Sequence, residues 1–342
     1  MAQRQPRGTR RRWPGVVLGA LAVLIVAEVT VRAVEPRLPD PPDWFSPSAA
    51  RLVREMDAAR ADGRRGGLTV AGSSMAGRGL IPSVLASGTR EGTPAHNVAL
   101  GGGGQTTLQE RWLLEEVVPR TRPDSVVWGL SSLDFNAARR PETIDRYDRA
   151  RATRHGPFAA ADRTLAEVSA LAEHRSSLRD PYLMSQILTG ADRGSGLPVR
   201  TTDRAITYEH REPPLPPARL EAMRRRQVAY AREVQLRGYS VGRAELDAFR
   251  RTLRGLRRDD IRTAVVLMPV TQRFIDAHPR GARDFTRWKR AVRRIARDEG
   301  VLLVDATRSM PVSAFRDIEH LDRAGARAFS AQLHDELVAT GW

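Results

Sequence analysis

The chain has 342 residues, no cysteine, and 56 Lys and Arg against 40 Asp and Glu, a formal net charge of +16. Without cysteine it carries no disulfide framework and no thiolate metal site. The charge raises the question of nucleic acid, but the arginines are spread through helices and loops with few aromatics between them, and no nucleic-acid module is present. The basic surface reads instead as one that faces anionic lipids or envelope polymers.

At the amino terminus Arg4, Arg7, Arg10, Arg11 and Arg12 precede an apolar run over 13–27, which Val29, Val31 and Ala33 continue. Glu28 and Arg32 interrupt the second half at a spacing of i, i+4, where they can pair near the outer interface. A basic cluster stays cytoplasmic, so residues 1–35 are expected to form a basic tail and an uncleaved single-pass anchor. The rest of the chain would then lie outside the cell membrane. A cleaved signal peptide is the alternative, and Val31-Arg32-Ala33 is a poor cleavage site for it. Residues 36–48 are rich in proline and read as an extended linker. Residues 49–342 suit one large domain.

Five continuous apolar runs follow. The first leads through Val70-Ala71 into Gly72-Ser73-Ser74, and the others lie at 95–100, 124–132, 263–269 and 301–305. Such runs, without polar alternation, suit strands of a parallel sheet covered on both faces. Amphipathic helical stretches at about 107–118, 244–256, 285–299 and 323–338 alternate with them. The expected fold is therefore α/β, a doubly wound, flavodoxin-like parallel sheet of about five strands with helices on both faces. Residues 136–243 break the rhythm and read as a helical insertion between the third and fourth strands, with helices near 161–174 and 217–234. The insertion is expected to cover the site and to carry substrate choice.

In such sheets ligands bind at the carboxyl ends of the strands. Ser74, the glycine run 101–104, Ser131 and the loop from Asp305 to His320 all fall at such ends. Near the carboxyl terminus, Asp317-Ile318-Glu319-His320 puts a carboxylate and an imidazole three residues apart, close enough to meet on one tight turn. A carboxylate that fixes the tautomer of an imidazole, and an imidazole that takes a hydroxyl proton, are what nucleophile activation requires. Gly72-Ser73-Ser74-Met75 offers the hydroxyl. The other six histidines form no His-x-His or His-x-x-x-His pair, so no metal site is expected and surface or capping roles are assigned to them. No cofactor is implied. Asp305, Asp134 and Asn136 read equally well as pocket residues and as turn residues.

Taken in order, these blocks resemble the SGNH (GDSL-type) hydrolase superfamily over roughly residues 67–135 and 260–340. Gly72-Ser73-Ser74-Met75 is similar to its Gly-Asp-Ser-Leu block, Asn97 with Gly101–Gly104 to its glycine block, Gly129-Leu130-Ser131-Ser132 to its Gly-x-Asn-Asp block, and Asp317-Ile318-Glu319-His320 to its Asp-x-x-His block. The resemblance implies a Ser74–His320–Asp317 triad. It also implies an oxyanion hole from the N–H groups of Ser74 and Gly102, with Ser131 standing where the family has a donating Asn. Asn136 is expected to bind substrate or to replace that donor. Ser73 and Ser131, in place of Asp and Asn, are similar to a membrane-anchored branch that includes alginate O-acetylation proteins and the protein D of lipoteichoic-acid D-alanylation. That branch implies an esterase or O-acyltransferase acting on acylated envelope glycans, with a multispanning membrane acyltransferase as partner. A non-catalytic scaffold or carbohydrate-binding subunit is the alternative, favoured by Ser131.

Overall fold

The computed structural model describes residues 13–34, 47–87, 93–100, 105–139, 205–206 and 216–342, and parts of 144–178. By internal packing the chain divides into two units, residues 1–44 with 149–196, and residues 45–148 with 197–342. The stretch read as one insertion is thus shared between them.

The second unit is built on a parallel sheet of six strands: β1 (Leu68–Gly72), β2 (Ala95–Asn97), β3 (Ser125–Leu130), β4 (Ala205–Ile206), β5 (Arg262–Leu267) and β6 (Leu302–Asp305), in the order β4-β2-β1-β3-β5-β6. Five of them are the expected apolar runs. The sixth, β4, comes from the insertion and pairs with β2 through Ala95–Ala205 and His96–Ile206. Without β4 the order is that of a doubly wound sheet, and the winding reverses between β1 and β3. These neighbours run in register from Leu68–Ser125 to Gly72–Gly129, so the residues after Gly72 and after Leu130 emerge side by side. That is where such a sheet opens a ligand crevice.

Helices on both faces bury β1, β3 and β5. Helix Arg243–Arg258 turns Ala248, Phe249, Thr252, Leu253 and Leu256 inward at helical spacing. Helix Ala282–Asp298 does the same with Phe285, Trp288, Val292 and Ile295. An aromatic chain ties these helices to β3 and the turn after it, with ring centroids 5.3 Å apart for Trp128–Phe249, 5.8 Å for Phe135–Phe249 and 6.2 Å for Phe135–Trp288. Each fully buried ring of this size contributes roughly 1.5–3 kcal/mol, enough to fix the loop that carries Ser131 to Asn136. Helix Arg323–Ala339 packs on the short helices Ser74–Gly79 and Pro82–Leu85, and Ser330 Oγ accepts from Ile81 N at 2.9 Å.

In the first unit, helix Trp13–Val34 carries an apolar span, Gly15–Ala33, of mean hydropathy 2.2. Its exposed Val16, Leu18, Val23 and Val26 suit an apolar surrounding rather than a protein core. Glu28 and Arg32 pair at 2.8 Å, as their spacing suggests. They also clasp a short helix, Ala170–Glu173. The Glu28 carboxylate accepts from Ser169 Oγ (2.8 Å), Ala170 N (2.9 Å) and Leu171 N (3.0 Å), and Arg32 donates to Val168 O (2.9 Å).

Candidate active site

Ser74 opens a six-residue helix directly after β1, and Gly72 makes the turn possible. Its φ is +135°, a region closed to most side chains, and an added Cβ would lie 2.2 Å from Gly129 O and 2.7 Å from Ala76 Cβ. As the first helical residue, Ser74 has an N–H without an acceptor inside the helix. Asn97, buried at the end of β2, holds the far end of that helix by donating to Gly77 O (3.0 Å) and Leu80 O (3.3 Å).

The acid and the base lie on a loop closed like a hairpin. Phe315 bridges Leu321, Arg316 N donates to His320 O at 3.0 Å, and Asp322 N donates to Ala314 O at 2.9 Å. Thr271, just beyond β5, ties the loop to the sheet by donating Oγ1 to Ile318 O at 2.8 Å. Within the loop Asp317 Oδ1 accepts from Glu319 N (2.8 Å) and His320 N (2.7 Å), which leaves Oδ2 for His320 Nδ1 at 2.8 Å. Burial alone would raise the Asp317 carboxyl. The His320 hydrogen bond and the two backbone N–H groups outweigh it and hold the group below the ordinary carboxylate value. An ionised Asp317 accepts only, so Nδ1 carries the proton and Nε2 is left as an acceptor. Ser74 Oγ is 3.0 Å from that Nε2. Three residues up to 246 positions apart thus form one line from hydroxyl to imidazole to carboxylate.

Gly102 lies outside the described residues. Ser131 is buried, and its single hydroxyl proton is directed to Asp134 Oδ2 at 3.0 Å, with its N–H on the same oxygen at 2.6 Å. A hydroxyl engaged in this way has no proton left for an oxyanion. Asn136 is a correction to the expected substrate contact. It is fully buried, donates to Gln235 O (2.9 Å) and accepts from Ala138 N (3.1 Å), so its amide pins one loop to another. Asp305 also serves its own turn, accepting from Lys289 (2.7 Å), Thr307 and Arg293. Among the described residues no cluster of His, Asp and Glu suits a metal ion.

Two residues matter more than the sequence suggests. Asp134 accepts from Ser131, and the Ser73 side chain also acts to lower its carboxyl, so it stands by both serines that flank the strand ends. Burial outweighs these hydrogen bonds and the nearby Arg139, and pushes its carboxyl up to about 7. Glu319, buried between Asp317 and His320, accepts from Gln227 at 3.0 Å and Gln235 at 3.4 Å. Its partners sit far away in sequence, which is why no local pattern reveals it. Three histidines assigned to surface or capping roles, His96, His174 and His278, are buried. His278 Nδ1 faces Phe274 O and Ile275 O, so Nε2 accepts from Ser132 Oγ at 2.9 Å. His96 is held to about 4 by burial, chiefly, and by Arg64.

No protein-family model and no curated protein matches the chain. Among solved structures it resembles a protein from Streptococcus pneumonia that carries a provisional name as a platelet activating factor (12% identity, TM-score 0.42, 85% of this chain and 92% of that one). It also resembles a carbohydrate acetylesterase family member from Sinorhizobium meliloti (14%, 0.35, 81% and 100%) and an inhibitor-bound aryl esterase from M. smegmatis (13%, 0.34, 80% and 99%).

Proposed function

We propose that this chain is a membrane-anchored, extracytoplasmic serine esterase or O-acyltransferase that acts on ester-linked acyl groups of a cell-envelope polysaccharide. The observation that carries the reading is the continuous line from Ser74 Oγ to His320 Nε2 at 3.0 Å and from His320 Nδ1 to Asp317 Oδ2 at 2.8 Å. Ser74 Oγ attacks the ester carbonyl while His320 Nε2 takes its proton, and Asp317 steadies the imidazolium. Collapse of the tetrahedral intermediate breaks the ester bond. His320 returns the proton to the departing alcohol and leaves an acyl group on Ser74. Water or a glycan hydroxyl then gives up its proton to His320 and takes the acyl group, which restores the serine. The Ser74 N–H is aimed at the developing oxyanion, and Gly102 would supply the second donor. The apolar span Gly15–Ala33 behind its arginine cluster supports the anchor and the orientation. The envelope glycan and a membrane acyltransferase partner rest on the family resemblance of the motifs.

A second reading has an observation of its own. Ser131, in the position of the family's donating Asn, spends its hydroxyl on Asp134, which suits a scaffold or carbohydrate-binding subunit that has lost turnover. A fluorophosphonate probe separates the two. The enzyme is expected to label at Ser74, and labelling is expected to vanish in Ser74→Ala and His320→Ala but to persist in Ser73→Ala. A folded wild-type chain that neither labels nor cleaves an activated acyl ester would leave only the scaffold.

A further inference from the structure

Helix Ala282–Asp298 has two faces. One is the buried row of Phe285, Trp288, Val292 and Ile295. On the other stand Arg283, Arg287, Arg290, Arg294 and Arg297, all exposed, at alternating spacings of four and three residues. At 3.6 residues per turn these five lie within about 80° of arc, over a length of about 21 Å. None has an ion-pair partner among the described residues. The helix's own carboxylates are taken, Asp284 by Arg280 at 2.7 Å and Asp298 by Arg250 at 3.7 Å. The contrast with the adjacent helix is sharp, because Arg250, Arg251, Arg254 and Arg257 are all bound to Glu or Asp there. Like charges at i, i+3 and i, i+4 destabilise a helix, so the bare row is a cost that folding alone does not explain.

The arginines line two adjoining grooves of about 540 and 610 Å³, which share Arg287 and Arg290. The second groove is also lined by the half-buried Val241 and Leu246. We infer that this strip binds a linear acidic polysaccharide along the helix, with guanidinium forks on successive carboxylates and apolar sugar faces against Val241 and Leu246. Planar guanidinium groups match carboxylates two bonds at a time, which suits a row of them to a polymer of regularly spaced acids. A bilayer fits less well, because no large apolar side chain is exposed on this helix to enter the interface. A single-stranded nucleic acid fits less well too, since no aromatic accompanies the stripe for bases to stack on. The inference rests on the proposed polysaccharide substrate and names its charge. It is tested by binding rather than turnover, so its failure is distinct from a failure of the esterase reading.

The full chain in neutral-lipid nanodiscs would be titrated with polygalacturonate, with uncharged xylan as the comparison. Binding is expected for polygalacturonate only. It should weaken by at least about tenfold between roughly 50 and 300 mM salt, as screening demands. The triple variant R287E/R290E/R294E is expected to lose at least about tenfold in affinity. Should charge reversal disturb folding, the milder R287Q/R290Q/R294Q is expected to show the same direction of change. Absence of polygalacturonate binding at low salt overturns the inference, and so does binding that both triple variants retain. Tighter binding to phosphatidylserine vesicles or to single-stranded DNA, lost in the same variants, would assign the strip to that other partner.

Discussion

Gln227 and Glu319 are joined across 92 positions by a 3.0 Å hydrogen bond, which braces from outside the loop that carries Asp317 and His320. Arg224 on the same helix donates to Phe315 O at 2.5 Å, and the widened turn Ala231–Gln235 brings a second amide towards Glu319. The loop of Asp317 and His320 is therefore set by the insertion's last helix as well as by the sheet. Gln227→Ala would leave a buried carboxylate with a single long hydrogen bond, an arrangement that costs about 1–3 kcal/mol. The expected result is a lower midpoint in urea and slower fluorophosphonate labelling. Unchanged values for both would show that the brace is idle.

Asp134 predicts a pH effect on stability. Burial, the largest influence, lifts its carboxyl to about 7 from an ordinary 3.8. The folded state therefore holds this proton more tightly than the unfolded chain does. Its contribution is fully present below about pH 4 and is lost as pH rises through about 7, a change on the order of a few kcal/mol. Asp134→Asn removes the titration, so its stability should fall less than the wild type's between pH 5 and 8. Parallel unfolding curves for the two proteins across that range would assign the pH dependence to other groups.

The Glu28 clasp is testable by proteolysis. Its carboxylate takes two backbone N–H groups at the start of Ala170–Glu173, which have no partner in the helix. Glu28→Ala should free the segment and speed tryptic cleavage after Arg175 in the full-length protein. Glu28→Gln, which keeps an acceptor oxygen, should lie between. If both variants are cut at the wild-type rate, the clasp does not order the segment.

Much of the fold is legible in the sequence because buried parallel strands are continuous apolar runs. The five at 68–72, 95–97, 125–130, 262–267 and 302–305 each stand out against amphipathic neighbours. β4 is not legible, since Ala205–Ile206 is too short to carry a period. Within the candidate site, Ser74, Asp317 and His320 are marked by local chemistry, namely a small-residue turn and an acid three residues before an imidazole. Asp134 and Glu319 acquire their meaning only when Ser73 and Gln227 arrive from elsewhere in the chain. Asn136 misleads for the same reason, because its partner Gln235 O lies 99 positions away. A lone histidine such as His278 carries no periodic signal, and only the packed rings of Tyr239, Phe274 and Phe285 around it reveal a buried residue.

The chemistry is tested most sharply at Asp317 and Ser131 together. Asp317→Asn replaces an acceptor with an amide that can donate to His320 Nδ1, which moves the imidazole proton to Nε2. That nitrogen then cannot take the Ser74 proton, and labelling should slow by a factor on the order of 10⁴, the loss known for the same change in a serine protease. Ser131→Ala separates two roles for one hydroxyl. In the structure the hydroxyl caps the turn through Asp134, so its removal should lower stability by about 0.5–2 kcal/mol and leave the labelling rate of the folded protein nearly unchanged. A fall of about 10²–10³ in labelling without loss of fold would mean that the hydroxyl leaves Asp134 during the reaction and donates to the oxyanion. The two variants thus distinguish a triad whose oxyanion hole is made of backbone alone from one that borrows a serine held by a buried carboxyl.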